Sequence, residues 1–203
     1  VYKLYTDEEN RRLGDARALE VDQFGRIWVG TWGQGVFLFN EVETDSFEIT
    51  HLGGMGGNLS GADSPNYIVV NDLFLDSENQ MWFSNYAAGN TNVIAAYDLL
   101  DSWQHWSTSD GILSNQTIYI EEDDSQRIWV ATTKGGSVID YNETLLDKSD
   151  DNLEGTLRTP DGLESNNVRA LAWDLDRQMW VGTDAGLHYW LGGDIRFEPR
   201  VIN

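Results

Sequence analysis

One phrase recurs four times along the 203 residues and limits what this chain can become. VDQFGRIWVGT at 21–31, LDSENQMWFSN at 75–85, EDDSQRIWVAT at 122–132 and WDLDRQMWVGT at 173–183 each place an Asp six residues before a Trp. The pairs are Asp22 and Trp28, Asp76 and Trp82, Asp123 and Trp129, Asp174 and Trp180, and successive Trp residues lie 54, 47 and 51 positions apart. Self-similarity at a period near fifty marks one supersecondary unit per copy. Before each Asp runs a short apolar or alternating segment (ARALEV, NDLFL, TIYIE, VRALAW). After each Trp come a turn and a second apolar run (GVFLF, NVIAAY, SVIDY, GLHYW). A more polar, aromatic-containing segment completes each copy: SFEITHL, SWQHWST, EGTLRT and DIRFEPRV.

Each copy therefore reads as four antiparallel strands. The second strand (IWVG, MWFS, IWVA, MWVG) is apolar on both faces, which suits a strand covered by neighbouring sheets on either side. The outer strand alternates with charge, as a water-exposed edge should. Units that cannot bury both faces alone, repeating at this length, stack radially, and the expected fold is all-β, a β-propeller with four four-stranded antiparallel blades. The blades fall at approximately 15–51, 67–108, 115–159 and 166–200, with VYKLYT at 1–6 as the outer strand of a preceding blade. That spare strand favours a window on a larger propeller over a four-bladed ring. The stretch LGGMGGNLSGADSP at 52–65 reads as an insertion, either a binding loop or filler.

The repeated Asp residues suit the turn between first and second strands, where a carboxylate accepts backbone N–H bonds as an Asx-turn. The position three before each Trp (Gly25, Asn79, Gln126, Arg177) is expected to need positive φ, which Gly and Asn meet better than Gln or Arg. The Trp residues offer flat surfaces for packing on the next blade, and each indole N–H needs one partner. Asp22, Trp28, Asp76, Trp82, Asp123, Trp129, Asp174 and Trp180 are thus read as structural.

Against this framework the phrases resemble the bacterial two-component-regulator propeller repeat, whose blades carry D-x-x-G-x-[IL]-W-[VI]-G-T. DQFGRIWVGT at 22–31 matches closely, and DLDRQMWVGTDAGLHYW at 174–190 matches except at the turn Gly. The linking phrase T-x-D-G-[IL]-x-S-N-x-[VI] is present as WSTSDGILSNQTI at 106–118 and LRTPDGLESNNV at 157–168. FSNYAAGNTN at 83–92 and ATTKGG at 131–136 depart from the pattern. The resemblance implies a periplasmic or extracellular sensory domain. The chain contains no kinase, cyclase or DNA-binding segment, so only the binding half of that function carries over.

Charge narrows the partners. With 13 Lys and Arg against 34 Asp and Glu the formal net charge is −21, which disfavours nucleic acid and anionic membranes, both of which are met by clustered cations. Cys is absent, and the three His residues are scattered, so no thiol chemistry and no His-based metal site is expected. The acidic runs at 121–124 and 147–151 lack the Gly and closing Glu of a calcium loop and read as solvated surface. No cofactor or metal is called for.

Ligands of propellers tend to sit over the central channel, on the face built by the loops between outer and inner strands and between second and third strands. The candidates there are Trp32 and Gln34, Tyr86, Lys134 and Asp184, one loop per blade. Arg17 and Arg169, each five residues before the repeated Asp, read either as partners for nearby carboxylates or as two guanidiniums directed at one channel, a local anion site in an acidic protein. The expected function is a non-enzymatic extracytoplasmic β-propeller that binds a small molecule, a glycan or a protein in the manner of a sensor ectodomain. The alternative is a scaffold subunit of a larger cell-surface assembly. A lyase or glycan-active enzyme fits less well, because no nucleophile–base pair or carboxylate dyad can be located.

Overall fold

The computed structural model describes residues 12–44 and 46–190. Strands β1 (Ala16–Val21), β2 (Ile27–Gly33), β3 (Val36–Glu43) and β4 (Ser46–Gly53) form the first blade, paired antiparallel in chain order. The second comprises β5 (Ile68–Leu75), β6 (Met81–Asn85), β7 (Asn92–Tyr97) and β8 (Trp103–Ser107). The third comprises β9 (Thr117–Glu122), β10 (Ile128–Thr132), β11 (Gly135–Asp140) and β12 (Asn152–Leu157). The fourth is described through β13 (Val168–Trp173), β14 (Met179–Thr183) and β15 (Leu187–Trp190). The expected outer strands at 1–6 and 194–201 lie outside the described residues. The inner strands β1, β5, β9 and β13 stand side by side in sequence order, and this radial stack of antiparallel sheets is a β-propeller.

The Asp and Trp of each repeat turn out to be partners. In blade one, Asp22 Oδ1 accepts the Phe24 and Arg26 amides at 2.9 and 3.0 Å, while Oδ2 accepts Arg26 Nε at 2.6 Å and Trp28 Nε1 at 2.8 Å. Asp123 repeats the set with Ser125, Arg127 and Trp129. Asp76 takes the Glu78 and Gln80 amides and the Trp82 indole, and Asp174 takes those of Asp176, Gln178 and Trp180. Positive φ follows at all four predicted turn positions: 77° at Gly25, 63° at Asn79, 60° at Gln126 and 62° at Arg177. Gln126 and Arg177 therefore accept a backbone that L side chains adopt at a cost, held there by amide bonds to Asp123 and Asp174 carbonyls.

Tethered in this way, Trp28, Trp82 and Trp129 are buried in the seams between blades. Trp82 is fully buried, stacked on Trp106 at 4.8 Å and tilted against Tyr141 of the third blade at 5.4 Å. Three successive apolar clusters fill the seams: Trp28 and Val36 with Leu73, Met81 and Phe83; Trp82 and Ile94 with Ile120, Ile128 and Val130; Trp129 and Val138 with Leu171, Met179 and Val181. Each buried aromatic contributes on the order of 2–3 kcal/mol through area alone. Polar ties cross the same seams. Tyr141 Oη donates to Asp76 Oδ2, Ser77 donates through its amide and hydroxyl to Glu122, and Asn71 Nδ2 donates to the Thr117 carbonyl.

The acidic runs are not simply solvated surface. Asp151 Oδ2 accepts the Trp106 indole N–H at 2.6 Å, and Glu122 bridges to the second blade, so part of each run serves as acceptors for buried donors. The 52–65 insertion is packed onto blade two. Its Leu59 is buried, the Ser60 amide donates to Asn85 Oδ1, and Asn85 Nδ2 returns a bond to the Ser60 carbonyl. This explains why blade two departs from the repeat. Elsewhere a Thr hydroxyl closes the loop after the second strand, from Thr31 to the Gly35 carbonyl, Thr132 to Gly135 and Thr183 to Gly186. Asn85 stands at that position in blade two and holds the insertion instead.

Two predictions follow from the turn. Replacing Asp123 by Ala strands a buried indole N–H and the Arg127 side chain, and should lower unfolding stability by roughly 2–4 kcal/mol; a urea midpoint within experimental error of wild type would refute the role. Arg177→Gly removes the left-handed strain at the price of a weak exposed ion pair with Asp124, and should raise stability by about 0.5–1 kcal/mol in the same assay.

Candidate functional site

The inner strands share an irregularity that the sequence pattern does not display. Pairing of β1 with β2 jumps between Ala16 and Ala18, of β5 with β6 between Val70 and Asp72, and of β13 with β14 between Val168 and Ala170. In β9 Thr117 and Tyr119 face adjacent residues of β10, skipping Ile118. Every blade thus carries a β-bulge at the same place, five residues before its repeated Asp, occupied by Arg17, Asn71, Ile118 and Arg169. A bulged residue leaves the ladder, and its side chain is re-aimed.

All four bulge residues line one cavity of about 450 Å³, with Trp32, Tyr86 and Thr133 completing its wall. Those three also occupy one repeat position, four residues after the Trp. Their amides make equivalent bonds across to the strand before the bulge: Trp32 to the Asp15 carbonyl, Tyr86 to Val69 and Thr133 to Gln116. The site is therefore two rings of repeat positions, one from the inner strands and one from the loops after the second strands.

Inside the cavity the aromatic and cationic groups are arranged against each other. The Trp32 and Tyr86 rings lie 5.2 Å apart at 43°. The Arg17 guanidinium sits 4.8 Å from the Trp32 ring centroid, and its Nη2 donates to Asp15 Oδ2 at 2.7 Å. Asn71 commits its amide to Thr117, and Thr133 Oγ1 donates to Gln116 Oε1 at 3.0 Å. Among the described residues Arg169 has no ion-pair partner.

The structure brings Arg17, Trp32, Tyr86 and Arg169 together and leaves the other three candidates outside the lining. Gln34 is used by the fold. Its Oε1 accepts the Gly14 amide at 2.6 Å, its Nε2 donates to the Arg12 carbonyl, and its own carbonyl is bonded by His51. Asp184 occupies the equivalent loop position in blade four but turns to Asn167 Nδ2 at 3.0 Å. Hydrogen bonds from Ser165 and Asn167, assisted by the Arg169 charge, hold its carboxyl below the ordinary Asp range. Lys134 is one residue out of register, exposed, and Thr133 fills the ring position in its stead. Asn71, Ile118 and Thr133 were missed, although counting from the repeated Asp or Trp finds each of them.

Next to the bulges lies an acidic tier. Asp72 Oδ2 accepts the Ile120 amide at 2.7 Å, and burial, with the neighbouring charges of Glu121 and Glu20, pushes its carboxyl up to about 7. Burial pushes Glu121 up to about 7 as well, and raises the nearby Tyr119 phenol. Among the described residues no group of three or more His, Asp or Glu is placed to hold a metal ion, and no helix is long and apolar enough to cross a membrane.

Fold and site together define a β-propeller with a polar, aromatic-walled cavity on its loop face. Among solved structures the chain is similar to the extracellular domain of BT3049 from B. thetaiotaomicron, designated a hybrid two-component system (TM-score 0.69, 21% identity, covering 94% of this chain and 23% of that one). It is similar to the corresponding domain of BT4673 from the same organism (TM-score 0.64, 19% identity, 87% and 23% covered). It is also similar to PorZ, a surface component of the type-IX secretion system of Porphyromonas gingivalis (TM-score 0.67, 20% identity, 87% and 24% covered). At 14% identity the fold also matches an enzyme, virginiamycin B lyase from Staphylococcus aureus. The chain spans about a quarter of the length of the first three. No family profile matches it, and no curated protein does.

The acidic tier gives a pH prediction. An unfolded Asp gives up its proton near 3.8 and native Asp72 near 7, so between these values the folded chain binds more protons and this group's contribution to stability falls as pH rises. Asp72→Asn should match wild type at about pH 4 and gain on it through pH 7, by the order of 2 kcal/mol for this half-buried group. Urea unfolding of both proteins at several pH values checks this, and a difference independent of pH would contradict it.

Proposed function

We propose that this chain is a non-enzymatic, extracytoplasmic ligand-recognition propeller of the sensor-ectodomain kind, with its ligand in the cavity bounded by Arg17, Trp32, Tyr86 and Arg169. The observation that carries the reading is the coincidence of the four bulges with one cavity wall: a position that the ladder does not need is spent, in every blade, on the same space. The extracellular domains among the similar structures support the extracytoplasmic setting. Recognition is favoured over catalysis because the lining side chains are Arg, Trp, Asn, Tyr, Ile and Thr, with no carboxylate or His to move a proton near neutral pH. The perturbed carboxyls, Asp72 and Glu121, stand outside the lining.

A scaffold role has one observation in its favour. Leu19, Val21 and Phe24 of blade one are 68, 51 and 61% exposed, whereas the residues equivalent to Leu19 in the later blades, Leu73, Ile120 and Leu171, are 4, 1 and 4% exposed against the preceding blade. In the later blades this face is covered by the preceding blade, so on blade one it is the surface that a further blade or a partner would cover.

The two readings separate in a thermal-shift screen of small metabolites against wild type and Trp32→Ala. Recognition in the cavity predicts compounds that raise the wild-type Tm by roughly 2 °C or more at saturating concentration, and leave the variant unmoved. Compounds that stabilise both proteins equally, or none that stabilise either, would count against it.

A further inference from the structure

Resting on that reading, we infer that the cavity selects a small anion that carries a ring, the ring lying against Trp32 and Tyr86 and the charge meeting Arg169 and Arg17. The argument is an inventory of what the lining has left to offer. Asn71 has committed one amide N–H to the Thr117 carbonyl, and Thr133 its hydroxyl to Gln116. Among the described residues the donors still open in the lining are the Trp32 indole N–H, the Tyr86 hydroxyl, the second Asn71 amide N–H, the Arg169 guanidinium and the Arg17 N–H groups that Asp15 does not take, with Asn71 Oδ1 the one amide oxygen beside them, and guanidinium groups donate and never accept. A site so provided wants a ligand group rich in acceptors, which means a carboxylate, phosphate or sulfate.

The two arginines differ in what they bring. Arg26, Arg127, Arg158, Arg177 and Lys148 each lie within 4.0 Å of a carboxylate elsewhere in the protein. Arg169 has no such partner among the described residues, and the Asp184 charge acts on it without an ion-pair contact, so its guanidinium donors stay open. Arg17 is paired, yet the pairing orients it: Asp15 engages Nη2 alone, and the guanidinium plane rests by the Trp32 face. Its remaining donors are free, already held in place, and lose little freedom on binding. No carboxylate lines the cavity to repel an anion.

The apolar half of the site sets the rest of the ligand. Trp32 and Tyr86, tilted at 43°, form a cleft wall that a flat ring covers, and Ile118 continues it without offering a hydrogen bond. The volume of about 450 Å³ suits a molecule of one or two rings and excludes a folded partner.

Isothermal titration with four probes tests this: phenyl phosphate and benzoate, which have both ring and charge; benzyl alcohol, which lacks the charge; and inorganic phosphate, which lacks the ring. At least one ring-bearing anion should bind about tenfold or more tightly than either single-feature probe, and the better of phenyl phosphate and benzoate tells phosphate from carboxylate chemistry. Arg169→Gln should weaken that binding by about tenfold, the loss of one charged contact. Arg158→Gln, outside the cavity, should leave it unchanged. Arg169 is exposed and its side chain makes no hydrogen bond or ion pair among the described residues, so the urea midpoint of Arg169→Gln should equal wild type, which separates lost binding from lost fold. Benzyl alcohol binding as tightly as the anions, and lost in Trp32→Ala, would overturn the anion selectivity while leaving the cavity as a recognition site. Failure of all four probes to bind wild type would overturn the inference, and the thermal-shift screen then decides the fate of the broader reading. Anion binding untouched by Arg169→Gln would overturn the assignment of the charge.

Discussion

Everything in this architecture depends on a carboxylate that serves two masters at once. Each repeated Asp accepts the amides of a tight turn with one oxygen and an indole N–H with the other. A buried indole without that acceptor would cost free energy comparable to a lost hydrogen bond, and a turn without it would not hold a Gln or Arg at positive φ. Because turn and Trp share one residue, the reversal between first and second strands comes together with a large side chain that packs into the seam. In blade two the device is extended: Tyr141 of the following blade adds a bond to Asp76, whose carboxyl is raised by its burial in that seam.

The cavity exists because the same inner strand must do something different at its other end. Near the Asp the strand is regular and its side chains fill the seams. Five residues earlier it bulges, and a side chain no longer needed by the ladder is sent elsewhere. What occupies the bulge differs by blade, Arg, Asn, Ile and Arg, while the bulge itself does not vary. A fixed frame with a variable lining is how one scaffold supports different ligands, and it is why the site's chemistry has to be read from these residues and not from the fold.

Most of the architecture could be read from the repeat alone, since period, strand count and the structural use of Asp and Trp all rest on spacing. The site was legible where register was followed and lost where chemistry was chosen first. Arg17 and Arg169 were found by their equal distance from the Asp. Asn71 and Ile118 share that distance, but an amide and an isoleucine carry no charge that marks them in sequence as cavity-facing. Lys134 carries a charge, but the ring position belongs to Thr133, one residue earlier. Gln34 and Asp184 look available in sequence, but long-range bonds absorb them, and a pattern of single residues does not carry the identity of a partner twenty positions away. The bulge could not be foreseen because it changes pairing without changing spacing. Asp72 and Glu121 lie in alternating strand positions like any others, and only the approach of neighbouring strands raises their carboxyls.

Blades one and two are joined in a manner that the later pairs are not. The end of β2 leaves its own sheet and pairs with β5, Trp32 opposite Val69 and Gly33 opposite Ile68, so that one hydrogen-bonded sheet runs through both blades. Between blades two and three the ties are separate hydrogen bonds, among them the Ala87 amide to the Asn115 carbonyl, the Ile120 amide to Asp72 and Asn71 to the Thr117 carbonyl, and no shared ladder forms there among the described residues. The wall bearing Arg17, Trp32, Asn71 and Tyr86 is thus carried by one continuous sheet, and the wall bearing Ile118, Thr133 and Arg169 by two others. A molecule that touched both walls would therefore bridge separate sheets, adding between the two halves a connection that the backbone ladder does not supply.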